Sequence, residues 1–357
     1  MNGKYKAFWL DEKNDVVIID QTKLPFEYET VTLKTADDAI VSIKDMLVRG
    51  AGVIGNIAAF GVYLAVKQNS DMTSIRGKAQ EIRESRPTAV NLMWAVDIMM
   101  EKLENCKGDL LQTALSEAIT ISDGDCKRSA LIGKYGCDKF EEIMKQNGKT
   151  SINVLTHCNA GWLAIVDDGS ALAPIYEAKR RGIEIHVWVD ETRPRNQGAN
   201  LTSWELEKSD VSHTVIPDNT GGYLMQQGLV DACIVGADRV SAQGDVANKI
   251  GTYLKALAAH DNNIPFYVAI PEGTLDFDIV DGVKDIPIET RSEDEVKYMR
   301  GLNAAGEVEE LLIMPKEAKS INYGFDITPN RLVTGLITEK GICKAKQDAI
   351  KAMFKRD

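Results

Sequence analysis

Long apolar runs are missing: no stretch approaches the ~20 consecutive apolar residues that cross a bilayer, so no membrane partner is expected. The first fifteen residues, MNGKYKAFWLDEKND, have lysines but no apolar centre and no small-residue cleavage site. They are not a signal peptide, and the expected location is the cytoplasm. Cysteine is sparse and scattered (Cys106, Cys126, Cys137, Cys158, Cys233, Cys343), without CxxC spacing, and His157, His186, His213 and His260 form no ligand group. Neither a disulfide framework nor a metal site is signalled, and no cofactor is implied. Positive charge is also in deficit. With 42 Lys and Arg against 53 Asp and Glu, the net charge is −11, which argues against nucleic acid as a partner and obliges an anionic ligand to find local arginines.

What is present fits a globular α/β protein of two domains. The 357 residues, 44% of them hydrophobic, are enough for two cores. A short strand at Val16 to Ile19 is followed by apolar spacing at Ile40, Ile43, Met46 and Leu47 that predicts one helical face, and helical patterns continue over 88 to 105 and 109 to 146. From Ser151 short β-rich runs alternate with helical segments: Asn153–Leu155, Ile183–Val189, His213–Ile216, Ala232–Val235 and Phe266–Ile270. That alternation predicts a parallel, doubly wound sheet. GKTS at 148–151 is the expected hinge, giving a smaller, mixed but mostly helical domain over 1–147 and a parallel-sheet domain over 148–357.

In open α/β sheets the binding crevice lies beyond the carboxyl ends of the strands, so the residues just past each β run carry the functional signal. They are Thr156-His157-Cys158-Asn159, then Asp190-Glu191-Thr192-Arg193-Pro194-Arg195-Asn196-Gln197, then Gly236-Ala237-Asp238-Arg239 with Asp245, Asn248 and Lys249 close behind. A single polar strand end is usually a cap or a turn, and at least one of Asp190, Asp238 and Asp245 is expected only to cap a helix or pin a loop. Three clusters in register point to one crevice. In the N-terminal half, Arg49-Gly50-Ala51-Gly52-Val53-Ile54-Gly55 opens an apolar helix and can present backbone N–H groups to a phosphate. It lacks the Lys-Ser/Thr ending of a P-loop, and no strand followed by GxGxxG precedes it, so dinucleotide binding is not expected. Ser85-Arg86-Pro87-Thr88 adds an arginine just before another helix.

Seven motifs in order then carry a resemblance over nearly the whole chain: RGAGVIG (49–55), SRPTAVNLMWAV (85–96), LTHCNAGWLA (155–164), DETRPRNQGANLTSWEL (190–206), IVGADRVSAQGDVANKIGTY (234–253), IPIETR (286–291) and FDITPNRLVTGLITEKG (325–341). The sequence resembles the S-methyl-5-thioribose-1-phosphate isomerases of methionine salvage, a branch related to regulatory subunits of a translation-initiation exchange factor. The resemblance implies a Rossmann-like catalytic domain without a nucleotide, a homodimer, a sugar-phosphate substrate, Cys158 and Asp238 as the catalytic pair, and substrate contacts from Arg49, Gly50, Ala51, Arg86, Gln197, Asn248 and Lys249. These coincide with positions that the strand ends, the glycine-rich helix start and the Ser85–Thr88 motif supply, although nothing in that argument separates Gln197 from its neighbours.

Two departures concern specificity. The family usually reads RGAPAIG where Gly52 and Val53 stand here, and Gly221-Gly222 replaces a small-residue pair containing Ala. They leave 5-deoxyribose 1-phosphate beside the methylthio sugar as a candidate substrate. An aldose 1-phosphate cannot open its ring spontaneously, because the anomeric oxygen is held in the ester. Asp238 is therefore expected to act as general acid from within a closed, apolar pocket, with Cys158 as base or charge stabiliser. The rival readings are a ribose-1,5-bisphosphate isomerase, which needs further cationic contacts, and a non-catalytic sugar-phosphate sensor.

Overall fold

The computed structural model describes residues 6–86 and 90–355, which fall into two compact units. The first unit comprises residues up to Leu24, Tyr28–Ala130 and Ala160–Gly169. Its strands β1 (Phe8–Leu10), β2 (Val16–Ile19) and β3 (Thr30–Leu33) form an antiparallel meander. Against them pack α1 (Ala36–Lys44), α2 (Ala51–Gln68), α3 (Met72–Glu84), α4 (Val90–Glu104) and the start of α5 (Leu110–Asn147). A capping box fixes the start of α1, with Thr35 accepting from the Asp38 amide while Asp38 accepts from that of Thr35.

The expected helical face over 40–47 holds only in part. Ile40 and Ile43 are buried, but α1 ends at Lys44, because Met46 adopts φ +59° and turns the chain so that the Leu47 carbonyl accepts from the Gln21 amide. The helix α2 is long and apolar enough by composition to cross a membrane, yet every residue from Gly52 to Val66 is buried in this core. A helix apolar on all sides is what the centre of a globular unit requires. Pro87 and Thr88, part of the arginine-bearing motif, lie outside the described residues.

The second unit, Pro25–Glu27, Leu131–Asn159 and Ser170 onward, contains the predicted alternation. In chain order its strands are β4 (Ser151–Thr156), β5 (Glu184–Asp190), β6 (Ser212–Ile216), β7 (Ala232–Val235), β8 (Arg239–Ser241), β9 (Val246–Lys249), β10 (Phe266–Ala269), β11 (Leu275–Asp276), β12 (Tyr298–Leu302), β13 (Val308–Leu312), β14 (Phe325–Thr328), β15 (Gly335–Thr338) and β16 (Gly341–Cys343). The main sheet runs β16-β15-β10-β7-β4-β5-β6, parallel throughout except for β16 at one edge. The chain steps outward from β4 to β5 and β6, then returns to lay β7 on the other side of β4 and continues to β10 and β15. Strand order therefore reverses between β4 and β7, and a ligand crevice belongs at their carboxyl ends. The strands β11-β8-β9-β14 form a second sheet, and β12 and β13 a largely exposed hairpin.

Helices α6 (Ala173–Arg180), α7 (Ser203–Lys208), α8 (Thr220–Gln226) and α9 (Thr252–Asp261) connect the strands. The start of α8 explains the departure at Gly221-Gly222. A Cβ on Gly221 would come 2.7 Å from the Leu155 side chain, whereas one on Gly222 would meet only Ala258 at an ordinary 3.5 Å. Gly222→Ala is therefore expected to stabilise the protein by about 0.5–1 kcal/mol by restricting the unfolded chain, read as a raised denaturant midpoint with unchanged m.

Candidate active site

The turn leaving β4 carries Cys158 in the left-handed region, at φ +67°. A non-glycine residue there costs of order 1 kcal/mol or more, so the surroundings must impose it. The Cys158 amide donates to Thr192 Oγ1 at 2.8 Å, and its carbonyl accepts from Thr202 Oγ1 at 2.7 Å. Thr192, itself at φ +66°, donates from Oγ1 to the Asp190 carbonyl, and both oxygens of Asp218 receive backbone donors, the amides of Thr192 (2.7 Å) and Arg193 (2.8 Å). The turns after β4, β5 and β6 are thus fastened into one assembly. Strained residues held by surrounding bonds are a recognised mark of a working site.

Gln197 lies in that assembly, buried, with Oε1 accepting from the Cys158 thiol at 3.5 Å. A five-residue π-turn, Gly198–Thr202, comes next, another feature concentrated at functional positions. The Arg193–Gln197 stretch is anchored from below by Glu295, which accepts from Arg195, Arg291 and Asn322. Burial opposes ionisation of Glu295, but these donors, Arg291 above all, overcome it and hold the carboxyl down at about 2.

Asp238 stands on the turn between β7 and β8, its amide donating to the Ala247 carbonyl of β9. The preceding residues Ala232 to Gly236 are buried as expected, but Asp238 itself is exposed. The turn carries it out of the apolar layer, so enclosure of its carboxyl is not built into the protein alone. On β9, Asn248 is buried and donates to Thr252, while the Lys249 ammonium donates to the Gly324 carbonyl and lies over the Phe325 ring, 5.0 Å from its centre. Asp245 is the carboxylate that only pins loops: it accepts from the amides of Gly282 and Asn330.

Beneath Cys158 lies a buried charged cluster that the sequence did not announce. His157 Nδ1 is 2.8 Å from Asp190 Oδ2, and Nε2 is 2.8 Å from the Ile250 carbonyl. The Lys255 ammonium is 3.3 Å from the same Asp190 oxygen and donates to the Asp218 carbonyl. Burial pushes the Asp190 carboxyl up, against the pull of His157 and Lys255, and burial likewise raises Asp326, whose oxygens accept from Gly251 and Tyr253 amides. His157, Asp190 and Asp218 bring ligand atoms within 4.8 Å of one another, as a metal site would, but the Lys255 ammonium is already seated among them as the resident cation. Burial pushes the thiols of Cys126 and Cys343 up to about 11, that of Cys137 to about 12 and that of Cys233 higher still, leaving these four inert.

In the first unit, Gly50 (φ +92°) is the residue before α2, and no acidic side chain occupies that helix's first turn. A Cβ on Gly50 would come 2.6 Å from Ala164, and one on Gly52 2.9 Å from the Ile165 side chain. The departure at Gly52 thus makes room for Ile165. Arg49 is buried and Arg86 half-buried.

Comparison with known proteins decides the lineage. Residues 47–345 match the model of the initiation factor 2 subunit family. The methylthioribose-1-phosphate isomerase of Sulfurimonas denitrificans is 59% identical over 99% of this chain and all of its own length. That of Desulfatibacillum aliphaticivorans is 52% identical over 99% of this chain and 98% of its own. The chain belongs to this family, among its methylthioribose-1-phosphate isomerases. Within the family two solved structures lie close. The 5-methylthioribose 1-phosphate isomerase of Pyrococcus horikoshii has a TM-score of 0.86 at 34% identity, covering 99% of this chain and 96% of that one. The translation initiation factor eIF-2B subunit delta of A. fulgidus has a TM-score of 0.83, also at 34% identity, covering 99% of this chain and all of that one. Membership brings the fold with it: a mostly helical N-terminal part and a parallel sheet in the C-terminal part.

Proposed function

We propose that the protein is an aldose-ketose isomerase that converts S-methyl-5-thioribose 1-phosphate to the corresponding ribulose 1-phosphate in methionine salvage, with 5-deoxyribose 1-phosphate as its nearest alternative substrate. The observation that carries this reading is the position of the two reactive side chains. Cys158 comes after β4 and Asp238 after β7, the two strands that flank the reversal of strand order, and the relatives at 59% and 52% identity are isomerases.

Asp238 gives its proton to the ring oxygen as the bond from that oxygen to C1 breaks. Hydrogen then passes from C2 to C1 while the C2 hydroxyl loses its proton and becomes the ketone. In a proton route Cys158 removes the C2 hydrogen through an enediol-like intermediate; in a hydride route it stabilises the developing charge, and the hydroxyl proton restores the Asp238 acid. The N-terminal half (1–147) supplies phosphate contacts through Arg49, the backbone amides of Gly50 and Ala51, and Arg86. Asn248 and Lys249 add theirs, and Gln197 orients the Cys158 thiol. The substrate itself covers the exposed Asp238. The active species is a homodimer in the cytoplasm.

The test is incubation of the purified protein with each sugar phosphate in D2O, tracking ketose formation by NMR. Turnover of the methylthio sugar is expected, and deuterium at C1 would identify the proton route. Turnover of ribose 1,5-bisphosphate alone, or of no sugar phosphate, would reject the assignment.

A further inference from the structure

The buried cluster beneath Cys158 contains a titratable group that the reaction does not consume. His157 is fully enclosed, and both ring nitrogens face oxygen acceptors at 2.8 Å. A carbonyl offers no proton, so Nε2 must donate to Ile250. On the other side, Nδ1 meets Asp190 Oδ2, which also has the Lys255 ammonium at 3.3 Å.

The ring is held from a third direction. Gly251, at φ +103°, lies so close that a Cβ there would stand 3.0 Å from Cε1 and Nε2. Charged or titratable groups surround the ring from each neighbouring turn: Asp190 after β5, Asp218 after β6 (3.9 Å from Nδ1), Lys255 on α9, Asp326 on β14, Cys233 on β7 and Cys158 beside it.

We propose that His157 is a positioning residue: bonded through both ring nitrogens, it ties the turn after β4 to Asp190 and to the Ile250 carbonyl, and so holds Cys158 in its left-handed conformation against Gln197. The inference rests on the reading of Cys158 as a reacting residue, but the bonds of the ring do not. The links are continuous. His157 fixes Asp190, whose carbonyl receives Thr192 Oγ1, and Thr192 Oγ1 in turn accepts the Cys158 amide.

Two measurements test it. In the 15N NMR spectrum of the unmodified protein, one of the four histidines should show a slowly exchanging Nε2 proton, as a buried bond to the Ile250 carbonyl requires. His186→Asn, His213→Asn and His260→Asn, none of them in the site, assign it by elimination. A His157 Nε2 proton that is absent, or that exchanges as fast as that of an exposed imidazole, would overturn the proposal. In kinetics, His157→Gln, whose one amide nitrogen cannot span the two partners that the ring nitrogens reach, should lower kcat by about 10- to 100-fold with KM changed less than about threefold. An unchanged kcat, or kcat and KM deteriorating together, would refute the positioning role. Should the variant not fold, the NMR result decides alone. If the parent protein turns over no sugar phosphate, the assigned reaction fails, while the tether through His157 stands or falls on its spectrum.

Discussion

Replacing Asp238 by Asn is expected to lower kcat by about 10²- to 10⁴-fold while the protein keeps its stability, because the amide preserves the shape and loses the transferable proton. Stability should survive because Asp238 is exposed and the substitution leaves the backbone bond to Ala247 intact. Cys158→Ser should fall in the same range. The hydroxyl can still donate to Gln197, but it is a far weaker acid than a thiol, so at neutral pH it supplies almost no anion to act as base or to hold charge. Asp245→Asn provides the contrast. Its carboxylate accepts one backbone amide on each oxygen, from Gly282 and Asn330, and an amide group can accept on only one side. That variant should lose about 1–3 kcal/mol of stability by leaving a buried donor unpaired, yet keep most of its kcat. Thermal melts beside steady-state kinetics on the three proteins separate the roles. Activity near the parental level in Asp238→Asn or Cys158→Ser would remove that residue from the chemistry.

The extent to which these features could be read in the sequence depends on the range of the interactions that make them. Ala232–Val235 and Val16–Ile19 were legible to the residue, because a fully buried strand needs little beyond β-branched and small apolar side chains. The crevice was legible for the same reason: once strands alternate with helices, the turns leaving the strands must gather at one edge of the sheet. The Rossmann-like order then explains why Cys158 and Asp238, eighty residues apart in the chain, leave adjacent strands at the reversal. Spacing could not disclose which polar residues bind each other. Asp218 clamping Thr192, Lys255 facing Asp190, and His157 bridging to Ile250 each join separate turns. Only His157 and Asp190 carry a signal, their places just past or at the end of a β run, and that signal does not say that they bind each other. The enclosure expected around Asp238 failed because an apolar strand predicts burial of the strand, not of the turn that leaves it. Met46 ended α1 early through its positive φ, which no apolar pattern reveals.

Gly198→Ala is expected to be the most damaging single-methyl change in this unit, costing about 3 kcal/mol or more and abolishing turnover. A Cβ at that position would stand 1.7 Å from the Asp190 carbonyl oxygen, 2.9 Å from its carbonyl carbon and 2.9 Å from Thr192 Oγ1. The first two are backbone atoms at the end of a buried strand and cannot rotate aside as a side chain could. Relief requires moving the π-turn away from β5, and the same oxygen accepts from Thr192, whose hydroxyl holds the Cys158 amide. The Gly198 amide would also draw back from the Glu191 carbonyl, and Gln197, one residue earlier, would withdraw from the thiol. The methyl group touches no substrate, yet it displaces Thr192, Gln197 and Cys158 together. Hydrogen exchange should show protection lost in the 190–202 segment, with β10 and β15 unaffected. Retained protection there and normal kcat would mean that the close approach of Gly198 to Asp190 is not what shapes the site.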